Sequence, residues 1–324
     1  MEVKKISRKP LLEFFGFLVV ILSFSVIQSC ENSRSETVDY SIKTQEELGE
    51  ALFFDPRLSS DNTISCSTCH VPEKAFTDGR EVAVGVGGKK GMRNAPTLIN
   101  VKNMHAFMFD SKVPSLEMQA IVPIQDTNEM NIPMSELIKK LAAIDIYMSA
   151  AQKIYNREFD AYVLSRSLSA YERTIVSTGS RFDDYLNGDE QAISESARRG
   201  WKLFSEELYC IECHRLPDFS THESKNNGYI GDTLLDYGRY RATGIESDKN
   251  KFKVPGLRNI ALTGPYMHNG KLKSLSEVLK HYSSGVKHNQ VDKRIVDFPL
   301  TPQKELDLIH FLESLTDKKL EQKQ

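Results

Sequence analysis

A basic surplus is missing from this chain: 42 Lys and Arg stand against 44 Asp and Glu, a net charge of −2 over 324 residues. Without spare cations to neutralise phosphates, nothing in the balance points to nucleic acid as a partner. Strand-type alternation is sparse, which argues against a β-sandwich or barrel. Long hydrophobic runs are also absent but for one, Phe14 to Ile27, which is too short for a comfortable membrane span. Cysteine is scarce too. There are five, at 30, 66, 69, 210 and 213, and their spacing leaves none over for a structural disulfide.

What is present at the N-terminus reads as targeting rather than fold. Lys4, Lys5, Arg8 and Lys9 precede the apolar run, which ends in Ile27-Gln28-Ser29-Cys30. Small residues followed by cysteine are the pattern of a lipoprotein signal in which Cys30 becomes the acylated first residue. A plain secretory signal and an uncleaved anchor are the alternatives. All three place the folded part outside the cytoplasm. Residues 1–30 are therefore read as signal and 31–40 as a polar tether.

The other four cysteines form two Cys-x-x-Cys-His motifs, Cys66-Ser67-Thr68-Cys69-His70 and Cys210-Ile211-Glu212-Cys213-His214. Two cysteines three apart can each form a thioether with one haem vinyl group, and the adjacent histidine then reaches the iron. A zinc site would favour two such pairs close in sequence, and a redox disulfide gives no reason for the histidine. Each motif is preceded by Gly-x-x-Leu-Phe, at Gly49–Phe53 and Gly200–Phe204, and followed by an Arg-Asn pair, Arg93-Asn94 and Arg258-Asn259. Such repetition predicts an internal duplication.

Helical periodicity runs through Thr44–Phe53, Met134–Tyr147, Ala150–Thr178, Ser194–Phe204, Ser274–Tyr282 and Thr301–Leu315. Ser276 with Glu277, and Thr301-Pro302, read as helix starts. The expected fold is mainly α: two cytochrome-c-like helical haem domains with long loops, residues 41–183 and 184–324. The boundary is expected near Arg181–Glu190, with Tyr155–Thr178 crossing between the domains.

Several strings resemble the bacterial dihaem cytochrome c peroxidase family, including its methylamine-utilisation maturase branch. They are Leu52-Phe53-Phe54-Asp55-Pro56-Arg57-Leu58-Ser59, Ala75-Phe76-Thr77-Asp78-Gly79-Arg80, Arg93-Asn94-Ala95-Pro96-Thr97-Leu98, Phe252-Lys253-Val254-Pro255-Gly256-Leu257-Arg258-Asn259, and Gly264-Pro265-Tyr266-Met267-His268-Asn269-Gly270. The resemblance implies two haem c groups held by Cys66, Cys69, His70 and by Cys210, Cys213, His214, with a peroxide site at the first. Glu129 and Gln119 match its acid/base and its orienting amide. Tyr282 matches the sixth ligand of the second haem, with Met267 and His281 as rivals, and His268 orients groups nearby. A calcium ion would take the side chain of Asn94 and the carbonyls of Thr263 and Pro265. Hydrogen peroxide and a small cytochrome c or cupredoxin are the implied partners, a homodimer is allowed, and the location is periplasmic, membrane-anchored through Cys30.

Two departures from the family stand out. Val86 occupies the place of a gating histidine on the Gly-rich loop, so the first haem is expected to be five-coordinate or water-bound unless His105 or another histidine swings in. Phe109 replaces the tryptophan usual between the haems, while the single tryptophan, Trp201, lies elsewhere. The resemblance thus predicts a peroxidase that needs no reductive activation and a weaker maturase character. A non-catalytic electron carrier is the alternative from a different class.

Overall fold

In a computed structural model the described residues are 41–229, 236–284 and 291–322, so the signal, the tether and Cys30 lie outside them. Helices and long loops build the molecule. Among the described residues the strands are a two-residue antiparallel pair, Ser224–Lys225 with Phe252–Lys253.

Two helix pairs form the frame, and sequence explains both. Gln45–Phe53 starts at a capping box, in which the Thr44 hydroxyl accepts the Glu47 N–H and the Glu47 carboxylate accepts that of Thr44. It packs on Ala161–Thr174, whose cap is Asp160. Glu195–Lys202, capped by Ser194, packs in the same way on Pro302–Glu313, capped by Thr301. Each crossing is made at the glycine of Gly-x-x-Leu-Phe. A Cβ at Gly49 would lie 1.9 Å from the Ser167 carbonyl oxygen, and one at Gly200 would lie 1.9 Å from that of Asp307. The helices can touch backbone to backbone only because that atom is missing.

Residues 42–324 form one compact unit with two apolar clusters. The first runs from Leu48 to Ile175, with Leu320 packed against it. The second runs from Phe182 to Leu315 around an aromatic nest in which the Phe311 ring lies 5.0 Å from Phe204, 5.2 Å from Phe182 and 5.4 Å from Trp201. Trp201 is therefore a packing residue. The change of cluster falls between Ile175 and Phe182, slightly ahead of a boundary at 183/184.

Some element bounds differ from the sequence reading. Met134–Tyr147 is not one helix: Met134–Ala142 stops and Asp145–Tyr155 begins anew. Ala150–Thr178 breaks at Asn156, which takes a left-handed conformation (φ 54°), and resumes at Ala161. The resumed helix packs within the first cluster rather than crossing to the second. Leu275–Ser283 is capped by Ser274, not Ser276, with the Glu277 N–H on the Ser274 hydroxyl at 3.2 Å.

Candidate functional site

Both Cys-x-x-Cys-His motifs fold as a single turn. Cys66–Cys69 is one α turn and Cys210–Glu212 a 3-10 turn, and the N–H of each following histidine returns to the first cysteine's carbonyl, at 2.9 and 3.0 Å. His70 Nδ1 lies 3.1 Å from the Phe76 carbonyl oxygen and His214 Nδ1 2.9 Å from that of Phe219. Phe76 and Phe219 both adopt positive φ, 58° and 55°, which turns those carbonyls back to the rings. A carbonyl only accepts, so Nδ1 carries the proton in each ring and Nε2 keeps the lone pair that iron requires. Burial lowers the pKa of both imidazoles and so favours the neutral form.

The thiols tell the same story. Burial pushes Cys66 far above the ordinary thiol range, Cys69 up to about 11 and Cys210 up to about 12. Activated thiolates, which a redox pair or a zinc centre would need, are disfavoured there. Among the described residues no group of three or more His, Cys, Asp or Glu side chains is placed to hold a metal ion. The donor set fits haem attachment instead.

A large cleft surrounds the second motif, with about 1890 Å³ of empty space counting its open mouth. Cys210, Cys213 and His214 border it, and Leu257, Leu275, Leu308 and Leu312 supply apolar wall. Its size and lining fit a flat apolar macrocycle. Of the three rival ligands, Tyr282 and Met267 are on the wall and His281 is not. Asn227 Nδ2 donates to the Tyr282 hydroxyl at 3.2 Å and to the Met267 sulfur at 3.7 Å, whereas His281 Nε2 donates to the Asn227 carbonyl at 3.1 Å. His268 also borders the cleft, stacked on Phe252 at 3.9 Å, with Nε2 buried and unpartnered; burial pulls its pKa down to about 4. Asn94, Thr263, Pro265 and Phe109 line the same space. The Asn94 amide donates to the Arg80 carbonyl at 2.7 Å, which leaves Oδ1 as its oxygen for a cation.

The region beside the first motif is built differently. Gln119, on the short helix Leu116–Ala120, has a buried Oε1 with no hydrogen-bond partner. Glu129 follows the turn Val122–Gln125, and burial together with the charge of Asp126 pushes its carboxyl up to about 7. Its charge acts on the Cys69 thiol, which puts it within electrostatic reach of the first motif. The Gly-rich loop is clamped to it. The Val86 N–H donates to the Glu129 carbonyl at 2.8 Å, and a Cβ at Gly85 would come within 2.3 Å of that same oxygen. His105 is elsewhere, its ring 5.8 Å from His222 in a separate pocket bordered by Arg239 and Lys251.

The duplication explains the difference. Pro96-Thr97-Leu98-Ile99-Asn100 and Pro255-Gly256-Leu257-Arg258-Asn259 are structural equivalents, since Asn100 (φ 59°) and Asn259 (φ 61°) each open a 3-10 turn from the left-handed region. This corrects the pairing of Arg93-Asn94 with Arg258-Asn259. The same spacing carries Met108 (φ 66°) onto Met267 (φ 69°), the cap Ser115 onto the cap Ser274, and Pro123 onto Tyr282. By that spacing the position of the Tyr282 phenol falls to Pro123, whose ring has no ligating atom.

Sequence reasoning missed several polar residues here. Arg93 bridges Asp110 at 3.0 Å and Asp236 at 2.7 Å. Glu172 is buried with an unpartnered Oε2, its carboxyl pushed up to about 8 and its charge acting on Cys66. Helical spacing from Leu164 and Leu168 would have found Glu172 on the buried stripe. For Lys253 no local pattern gives a signal.

A family profile described as "Di-haem cytochrome c peroxidase" matches residues 43–191. Methylamine utilization protein MauG of Methylophilus methylotrophus is 35% identical over 277 residues, covering 83% of this chain and 81% of that protein. Cytochrome c551 peroxidase of Pseudomonas aeruginosa is 33% identical over 285 residues, covering 85% and 79%. A solved MauG-like protein associated with microbial copper homeostasis superposes with a TM-score of 0.77 at 32% identity, over 85% of this chain and 90% of that one.

Proposed function

The chain belongs to the di-haem cytochrome c peroxidase family, and from that premise we propose that it is a periplasmic peroxidase. It reduces hydrogen peroxide to water with electrons delivered singly by a small cytochrome c or cupredoxin. Cys66, Cys69 and His70 hold one haem c, and Cys210, Cys213 and His214 the other. When bound, the haems supply the iron that binds peroxide at the first site and passes electrons at the second. The rest of the chemistry belongs to the chain.

Glu129 takes the proton from one peroxide oxygen and returns it to the other, the leaving oxygen, so that two electrons and two further protons yield two waters. A carboxyl with a pKa near neutrality suits both halves of that task. Gln119 Oε1, buried and unpartnered, accepts the peroxide O–H and orients it. Val86 and Pro123 have no atom that could block the iron, so the enzyme starts without prior reduction. Tyr282 would be the side chain offered to the iron of the second haem, supported by its place on the cleft wall beside Asn227. Asn94, Thr263 and Pro265 hold a calcium ion, and the two haem domains meet near residues 176–183. Cys30 carries the lipid.

The observation that carries this reading is the half-buried Glu129 carboxyl, held near neutrality by burial, on a residue whose backbone carbonyl fastens a loop in which residue 86 cannot ligate. Peroxide consumption by unreduced holoprotein, with a reduced small cytochrome c as donor, tests it. Turnover is expected at once, with kcat/KM rising through about pH 7 as Glu129 ionises. Glu129→Gln should cost roughly 10²–10⁴-fold and flatten that rise. No turnover even after half-reduction would sink the reading. Tyr282 favours a second reading, oxidation of a partner protein as in a maturase, but Phe109 counts against it because phenylalanine is much harder to oxidise than tryptophan. An oxidised partner side chain would favour that alternative.

A further inference from the structure

Two largely buried arginines are paired with carboxylates. Arg93 reaches Asp110 and Asp236, and Arg258 forms a two-bond fork with Asp183 at 2.8 Å. Lys253 is half-buried and has no such partner among the described residues. Its backbone N–H donates to the Phe109 carbonyl at 2.7 Å and it sits in the short strand Phe252–Lys253, so its position is fixed. Its side chain borders the cleft that holds Cys210, Cys213 and His214. The ammonium donates to the Met104 sulfur at 3.1 Å, and among the described residues no carboxylate acts on it.

A thioether is a weak acceptor and cannot replace the water an ammonium gives up on burial. Burial alone accordingly pulls the lysine down to about 8. An anion offsets that cost; the described wall residues include no carboxylate, so a partner would come with what fills the cleft. On the two-haem reading, on which this inference rests, the occupant brings its own carboxylates: haem carries two propionate side chains.

We propose that Lys253 binds a propionate of the haem attached at Cys210 and Cys213, at the part of the wall that Phe109 of the first half also lines. The pair neutralises one carboxylate of the electron-entry haem. A positive charge held there favours the reduced iron, so Lys253 also raises that haem's potential.

The test uses full-length holoprotein, with haem counted by the pyridine haemochrome spectrum and potentials read by spectroelectrochemical titration. Lys253→Met with two haems per chain should lower the reduction equilibrium constant of the second haem about tenfold, which is 59 mV for one electron. The first haem should move less. Lys253→Arg keeps the charge and should keep the potential. If Lys253→Met does not accumulate, resonance Raman of the wild type and Lys253→Arg decides: the propionate-bending band of the second haem should shift between them, and identical bands would overturn the proposal. Unmoved potentials in a fully loaded Lys253→Met would overturn the role of Lys253 alone. A wild-type protein without a second haem would overturn the two-haem reading and this inference with it.

Discussion

At the scale of single residues, the polar groups that matter were only partly legible. The cysteines and histidines announce themselves by spacing, because thioether chemistry ties three side chains to one turn. Glu129 and Gln119 came from resemblance, and the close approach of Gly85 to the Glu129 backbone supplies a physical reason for the setting of Glu129. Glu172 is readable in principle from helical phase, four residues beyond Leu168 on the buried stripe. Its burial has a measurable consequence. An acid whose folded pKa is raised from 4.5 to about 8 holds its proton in the native state while the unfolded chain releases it. Stability is then fully present below about pH 4.5, falls as pH rises, and levels off above about 8. Glu172→Gln copies the protonated form without titrating. Thermal or urea unfolding across this range should show the variant gaining on wild type by up to about 1.4 kcal/mol per pH unit. Parallel curves would mean that Glu172 is ionised in the folded protein.

Elements were legible where a cap marks their start, as at Thr44, Ser194 and Thr301. They were not legible where tertiary packing decides, as at the break after Ala142 or the left-handed Asn156. The glycines of Gly-x-x-Leu-Phe are more telling. In sequence they mark a repeat on an amphipathic helix; in the fold they are the points where two helices meet backbone to backbone. Alanine is the better helix former by up to about 1 kcal/mol, yet at Gly200 its Cβ would overlap the Asp307 carbonyl. Sterics should therefore win. Gly200→Ala is expected to lose roughly 1–3 kcal/mol, read as a lower urea midpoint with an unchanged slope, and Gly49→Ala should behave likewise. A gain in stability at either position would show that the helices can part without cost.

Across the whole molecule, mainly helical architecture and duplication were legible, but the join between halves was not, because it is made by polar residues distant in sequence. Asn100 donates to the Ser177 carbonyl at 3.0 Å and to Asp218 at 2.8 Å. Ser177 in turn donates to Asp317 at 3.0 Å, and Asn259 joins Ser177 to the Asp317 N–H. All five residues are buried, so losing one strands the others without water. Asp317→Ala should uncouple the halves and split one calorimetric transition of the holoprotein into two. A single transition, merely shifted, would place the coupling elsewhere.

That join also sets a clock on biogenesis. Leu320 packs on a core whose other members begin at Leu48, and Asp317 closes a network begun at Asn100. The first half therefore cannot finish folding until synthesis and export have delivered residues 317–320, far from its own segment. Until then its Cys-x-x-Cys-His segment remains open to the machinery that must attach the cofactor.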